Sequence, residues 1–255
     1  MEEPTKARLA ASSGRRYPLA RANSATARPL SWALAKAGAT PNQVTLLSLV
    51  VSLVGLWVVA AADAWTDLAA GVALVHLGLV LDHADGQVAR RRGMGSDWGL
   101  YLDMVVDRVV EIGLVVALAV TTLTATQPLP DTWLIDDTAL AMLALATLGL
   151  MLSWRFLNAY NDVLYLRRHL LVTGRAPQAR PSKEGGAAGG WFPVFNRDWV
   201  FALWSIGALL VQPAGTLAVL AVLHLGVCAG KVLAFKRHHE APEARAAAVL
   251  DGDHH

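Results

Sequence analysis

A single cysteine in 255 residues removes whole classes of protein at once. Cys228 lies in an apolar stretch, so neither a disulfide framework nor a cysteine-based metal site can be built. It leaves the compartment open. Charge is also scarce: 16% of residues are charged and 55% are hydrophobic, a balance that fits a membrane protein better than a soluble domain. The net charge is only +2, and the basic residues are not interleaved with aromatics on a polar face, so no nucleic-acid partner is expected. An early apolar run is missing as well. Residues 1–29 are basic and rich in Ala, Ser and Arg, and the first long apolar run starts near Val44, too late for a secretory signal peptide. This segment reads as a cytoplasmic arm. Its Arg15, Arg16, Arg21 and Arg28 suit anionic headgroups, each worth about 1 kcal/mol near such a surface; for its first residues a solvated tail is the alternative.

What the chain has in quantity is apolar stretches of bilayer length: Val44 to Ala62, Leu68 to Leu81, Leu100 to Leu123, Ala139 to Leu157, Trp199 to Val211 and Gly215 to Leu233. The second and fifth are short, and each is lengthened by a polar extension. Six transmembrane helices are therefore expected, in an all-α integral membrane protein. Lys and Arg collect in the arm, in Arg90-Arg91-Arg92, between Arg167 and Arg197, and at Lys236-Arg237. The other connections hold only acids such as Asp63, Asp67, Asp131, Asp136 and Asp137. Since basic residues stay on the cytoplasmic side, both termini are placed there. The domains then read as an arm over 1–29, a six-helix catalytic domain over 30–237 and a disordered cytoplasmic tail over 238–255. The connection from His169 to Gly190, with Gly174, Pro177, Pro181 and a Gly-Ala run, reads as a flexible loop, and there is no internal repeat. The terminal His254-His255 pair is not read as a metal site.

The chemistry concentrates where the second span ends and the third begins. Asp82 and Asp85 lie one turn apart on one helix face, and Asp103 and Asp107 do the same on the next helix. The short Arg91 to Trp98 turn aims all four carboxylates at one point. Like charges repel, and ions at a membrane are expensive, so cations must accompany them. Oxygen-only ligands favour hard ions, Mg2+ or Mn2+, and four acids suit a pair of ions bridging phosphate oxygens. Gly86 and Ala89 share the face of Asp82 and Asp85, leaving a groove where a nucleotide diphosphate could approach the backbone. The alternative for these acids is a solvated helix end paired with Arg90 to Arg92.

The spacing Asp-x2-Asp-Gly-x2-Ala-Arg-x8-Gly-x3-Asp-x3-Asp, met by Asp82, Asp85, Gly86, Ala89, Arg90, Gly99, Asp103 and Asp107, resembles the signature of the CDP-alcohol phosphotransferase family. The six spans and the Thr40-Pro41-Asn42-Gln43-Val44-Thr45 start of the first helix are similar to that family too. The resemblance covers roughly Arg28 to Arg237. It implies metal-dependent transfer of a phosphoalcohol group, phosphatidyl in most family members of this topology, from a CDP-linked donor such as CDP-diacylglycerol to an alcohol acceptor of the inositol, inositol phosphate or glycerol phosphate type. CMP is released, and the pathway is phospholipid biosynthesis. It implies Asp82, Asp85 and Asp103 as metal ligands, and Asp107 as both a ligand of a second ion and the general base. It places Asp82, Gly86, Ala89 and Gly99 at the nucleotide, Arg90 near the donor phosphates, and a homodimer in the membrane.

Other polar residues carry weaker signals. Arg108, Arg155 and Arg197 are candidate contacts to a phosphate on the acceptor, with positive-inside anchoring explaining them equally. Glu111, one turn beyond Asp107, is either functional or neutralised by an Arg or Lys. His76 and His224 read as packed or hydrogen-bonded, Lys231 as snorkelling, and the tryptophans as an interfacial belt. Three alternatives remain: a transferase using a CDP-activated polar alcohol, a prenyltransferase, whose Asp-rich motifs lie on two separated loops, and a small metal transporter, whose acids would sit at mid-membrane on several helices.

Overall fold

The computed structural model describes residues 18–124, 136–173, 197–211 and 213–252. Among these there is no strand. The order is α1 (Pro18–Lys36), α2 (Pro41–Ala60), α3 (Trp65–Arg92), α4 (Asp97–Thr124), α5 (Asp137–Thr173), α6 (Arg197–Ile206) running into a π-helical segment (Gly207–Val211), and α7 (Pro213–Gly252). Four helices are long and apolar enough to cross a membrane: Pro41–Ala60, Trp65–Arg92, Thr138–Tyr160 and Ala214–Leu233. α4 is 28 residues long but carries Asp97, Asp103, Asp107, Arg108 and Glu111, and the apolar helix Asp198–Leu210 is shorter. The chain is thus a multi-pass membrane protein in which the acidic motif sits on helices rather than on a separate loop.

Two compact units are distinguished, Met1–Leu148 with Pro193–Leu220, and Gly149–Phe192 with Ala221–His255. The first holds the acids. Its α2 starts with a capping box: the Thr40 hydroxyl accepts from the Gln43 amide at 3.3 Å, Gln43 Oε1 accepts from the Thr40 amide at 2.9 Å, and Pro41 occupies the first turn, where its missing N–H costs nothing. α3 ends at Gly93, whose φ of 65° is the left-handed conformation that stops a helix cleanly.

Small residues let α2 and α3 pack closely. A Cβ on Gly55 would lie 2.7 Å from the Val75 amide nitrogen and 2.9 Å from the Gly71 carbonyl, and a Cβ on Gly78 would collide with Ser52. In a bilayer, where lipid is as apolar as leucine, such close approach supplies the dispersion energy that drives helix association. α4 joins the pair through Thr121, whose hydroxyl reaches the Val59 carbonyl, and through Leu114 and Leu118, which are buried in a core shared with Val59, Leu68, Val75 and Trp204. Trp204 departs from the expected interfacial belt. It is fully buried, and its indole N–H donates to the Leu114 carbonyl at 2.9 Å, fixing α6 against α4. Trp57 and Trp65 are 70% and 58% exposed, as belt residues are.

Two terminal regions differ from expectation. The described part of the arm is helical and crosses its expected boundary: α1 runs across residues 29 and 30 and docks on α3, with Ala27, Val44, Ala84 and Val88 buried at the α1–α2–α3 junction. The α7 helix continues to Gly252, through most of the stretch read as a disordered tail. Ala is the commonest residue of that stretch and the strongest helix former, which favours the continuation. In the second unit, His224 packs edge-on against Trp154, with centroids 5.8 Å apart, and the Cys228 thiol donates to the Leu150 carbonyl at 3.4 Å. The loop expected from His169 to Gly190 lies largely outside the described residues.

Candidate active site

Asp82 and Asp85 belong to the last turns of α3, and Asp103 to the second turn of α4. The turn between these helices brings one carboxylate oxygen from each within 4.8 Å of the other two. At an effective dielectric of about 20, two unit charges about 5 Å apart repel by about 3 kcal/mol, so three ionised acids together cost about 10 kcal/mol. That is the scale of a whole domain's stability, which a bound cation offsets directly and protonation of one acid would otherwise relieve. The donor set fits such a cation. Ligand oxygens on a Mg2+ or Mn2+ ion are roughly 3.0 Å apart when adjacent and roughly 4.2–4.4 Å apart when opposite, and at most one pair of three can be opposite, so an ion draws the trio in by up to about 1.8 Å.

Asp107 stands beside this trio rather than within it. It lines a small cleft with Asp82, Ser48, Ser52 and Phe201, and its Oδ2 lies 3.8 Å from the Arg108 guanidinium. Arg108 also forms a close ion pair with Glu111, which is only 2% exposed. Of the two readings of Glu111, neutralisation by a basic partner is the one the geometry shows. The Arg108 guanidinium is thereby committed to two acids of its own helix.

The glycines of the signature behave differently from those of the α2–α3 contact. A Cβ on Gly86 would meet only the mobile end of Arg90, at 3.4 Å, so the backbone there borders open space. Ala89 is half-buried on the same face, and Arg90 is exposed above it. Gly99 lies close to α2: a Cβ there would be 3.1 Å from Asn42 Oδ1. Arg155 stacks on Trp154, 4.4 Å from the ring centroid, within the second unit. Arg197 opens α6 in the first unit, and its side chain is outside the described residues. His76 is hydrogen-bonded to Ser205 at 2.7 Å.

Two features escape a reading of the signature alone. Thr45 donates its hydroxyl to Asp85 Oδ2 at 2.5 Å, holding one oxygen of that acid from α2. His83 and Gln87, at positions the signature leaves variable, hold neighbouring helices. His83 Nε2 is 2.8 Å from Asp198 Oδ1, and Gln87 bonds to Ser31 Oγ at 2.9 Å and to the Ser24 carbonyl at 2.8 Å. The sequence marks the helix face of each but not its partner. Thr45 follows Pro41 by one turn on the capped end of α2, and His83 and Gln87 are one turn apart on a face distinct from that of Asp82, Asp85, Gly86 and Ala89.

Carboxylates gathered where a hard cation could sit, beside an open backbone groove at the polar ends of membrane helices, suit metal-dependent chemistry on a phosphate group. Comparison with known proteins gives the family. Residues 39–228 match the CDP-alcohol phosphatidyltransferase family, so the chain belongs to it. Its fold is similar to that of Mycobacterium tuberculosis phosphatidylinositol phosphate synthase. In the crystal structure with CDP-DAG bound the TM-score is 0.57 at 20% identity, covering 82% of this chain and 92% of that one. In the complex with manganese and citrate it is 0.56 at 20% identity, covering 82% and 88%. A bifunctional IPC transferase and DIPP synthase of Aquifex aeolicus (strain VF5) is 38% identical over 80 residues. That match spans 31% of this chain and 18% of the Aquifex protein.

Proposed function

We propose that this protein transfers a phosphatidyl group from CDP-diacylglycerol to the hydroxyl of an inositol, inositol phosphate or glycerol phosphate acceptor, releasing CMP. The observation that carries the reading is the convergence of Asp82, Asp85 and Asp103 within 4.8 Å beside the open face of Gly86. The mycobacterial neighbour is a phosphatidylinositol phosphate synthase with CDP-DAG bound, which supports an inositol-type acceptor, and the Aquifex relative is an IPC transferase and DIPP synthase. The Aquifex name carries no phosphatidyl group, which keeps a CDP-activated polar alcohol as the second reading of the donor.

In this reading Asp82, Asp85 and Asp103 hold Mg2+ or Mn2+, and Asp107 completes a second ion site. Bound there, the ions neutralise the diphosphate oxygens and make CMP a good leaving group. Gly86, Ala89 and Gly99 line the nucleotide, with Arg90 near the phosphates. Asp107 takes the proton of the acceptor hydroxyl as its oxygen bonds to the distal phosphorus and the bond to the CMP oxygen breaks. Arg197 contacts an acceptor phosphate, and Arg108 balances Asp107 and Glu111. α4, and α6 with its π segment, complete six spans, with termini and active site cytoplasmic as the loop charges direct. The enzyme is a homodimer, which a detergent-corrected mass measurement checks.

The test is mass spectrometry of products formed by purified protein from a panel of CDP-donors and alcohols. A phosphatidyl product with an inositol-type acceptor supports the proposal. Product from CDP-activated polar alcohols alone replaces the donor, and no CMP release with any pair refutes the reading.

A further inference from the structure

Asp198 is a buried carboxylate, 6% exposed, in the first turn of α6. Its Oδ1 is shared by two groups from two other helices: Asn23 Nδ2 of α1 at 2.7 Å and His83 Nε2 of α3 at 2.8 Å. An ionised carboxylate only accepts, so both partners donate, and the His83 proton resides on Nε2. Hydrogen bonds to a charged group in a low-dielectric place are among the stronger ones, and they are lost steeply with misalignment. The node therefore fixes three helices relative to one another. Gln87, one turn beyond His83, reinforces it through its bonds to Ser24 and Ser31 of α1.

Position makes the node more than a brace. His83 stands between Asp82 and Asp85 in the chain, and Asp198 follows Arg197. α3 thus presents one face to the cation and nucleotide and another to α1 and α6, and a shift of the second face displaces whatever the first turn of α6 carries.

We propose that the Asn23–Asp198–His83 bridge is a positioning device for the acceptor, setting the first turn of α6, and Arg197 with it, against the Asp82–Asp85 turn. This rests on the transferase reading and on the role given there to Arg197. His83, Asp198 and Asn23 are positioning residues that touch neither substrate.

The experiment is steady-state kinetics of His83→Phe, His83→Gln, Asp198→Asn and Asn23→Ala, with donor and acceptor varied separately and thermal unfolding midpoints measured in detergent. His83→Phe and Asp198→Asn are expected to raise acceptor KM by about tenfold, less than the roughly 10²-fold that a misplacement of about 1 Å can cost, while donor KM and the Mg2+ half-saturation point stay within about twofold of wild type. His83→Gln keeps an N–H donor and recovers most of the loss. Asn23→Ala leaves the His83 contact intact and shows a smaller effect in the same direction. Equal rises in donor and acceptor KM, or none in either, overturn the proposal. The His83→Phe/Asp198→Asn double variant supplies a readout independent of activity, because bridged residues shift the unfolding midpoint non-additively. Additive shifts remove the bridge itself. If wild-type protein releases no CMP, the transferase reading fails while this coupling still reports whether the bridge exists.

Discussion

Thr45→Val tests how the metal cluster is oriented without touching any proposed ligand. Valine matches threonine in shape and removes only the hydroxyl. In the structure that hydroxyl has one proton and two acceptors within reach, Asp85 Oδ2 at 2.5 Å and the Pro41 carbonyl at 3.1 Å, and the charged, nearer one wins. Thr45 and Asp85 are 3% and 8% exposed, so water does not readily replace the lost donor. A hydrogen bond to a charged group contributes about 1.5–3 kcal/mol, equivalent to a factor of about 10 to 150 in an equilibrium constant. That range is an upper bound for metal affinity, because the bond exists with and without the ion. Only its orienting part appears in binding. Removing such supporting contacts typically costs about 10–100-fold in metal affinity, and the low end applies here. The assay is CMP release across a Mg2+ titration at saturating donor. Thr45→Val should raise the half-saturating Mg2+ concentration about tenfold with much of the maximal rate recovered at high Mg2+, and Thr45→Ser should restore the wild-type titration. An unchanged half-saturation point in Thr45→Val would refute the orienting role.

Two further outcomes follow from geometry already described. Gly55→Ala puts a Cβ 2.7 Å from the Val75 amide nitrogen and should cost about 1–3 kcal/mol, read as a lowered unfolding midpoint, whereas Gly86→Ala should leave that midpoint unchanged and Gly86→Leu should abolish nucleotide binding in a folded protein. Unchanged CDP-donor affinity in Gly86→Leu would remove the groove from the donor site. Asp107→Asn should retain donor affinity better than Asp82→Asn at saturating Mg2+, yet its single-turnover rate should fall by at least about 10²–10⁴-fold, the contribution of a general base. If donor affinity is lost as completely in both, Asp107 is a metal ligand only.

Apolar length and the acid spacing made the helices and the site legible in the sequence. Each apolar stretch became part of a helix that starts within a few residues of its expected start, because burial in lipid and a capped start such as Thr40-Pro41 both act locally, whereas α3, α5 and α7 run on to Arg92, Thr173 and Gly252, well past the expected ends at Leu81, Leu157 and Leu233. The Asp82, Asp85 and Asp103 cluster was readable because helical periodicity puts same-face residues together and the short turn leaves little freedom. Contacts between distant segments were not. Thr45 meets Asp85 across 40 residues and His83 meets Asp198 across 115, and no local rule pairs them. Trp204 was misplaced among interfacial residues for the same reason: its buried N–H is satisfied by a carbonyl 90 residues away. The α1 helix was hidden by its composition, since a face of Ala and Ser carries little hydrophobic signal yet docks well against α3 through Gln87.

The measurement that bears most directly on the whole account is CMP release by purified protein, followed with Mg2+, with Mg2+ removed by chelator, and in Asp82→Asn, Asp85→Asn and Asp103→Asn at wild-type unfolding midpoints. The account predicts CMP release that requires the divalent ion and falls to background in all three variants, since each removes a ligand charge from one small cluster. CMP release that persists in any of these folded variants, or that continues without divalent ions, would contradict the assignment of the α3–α4 carboxylates as the centre of phosphoalcohol transfer.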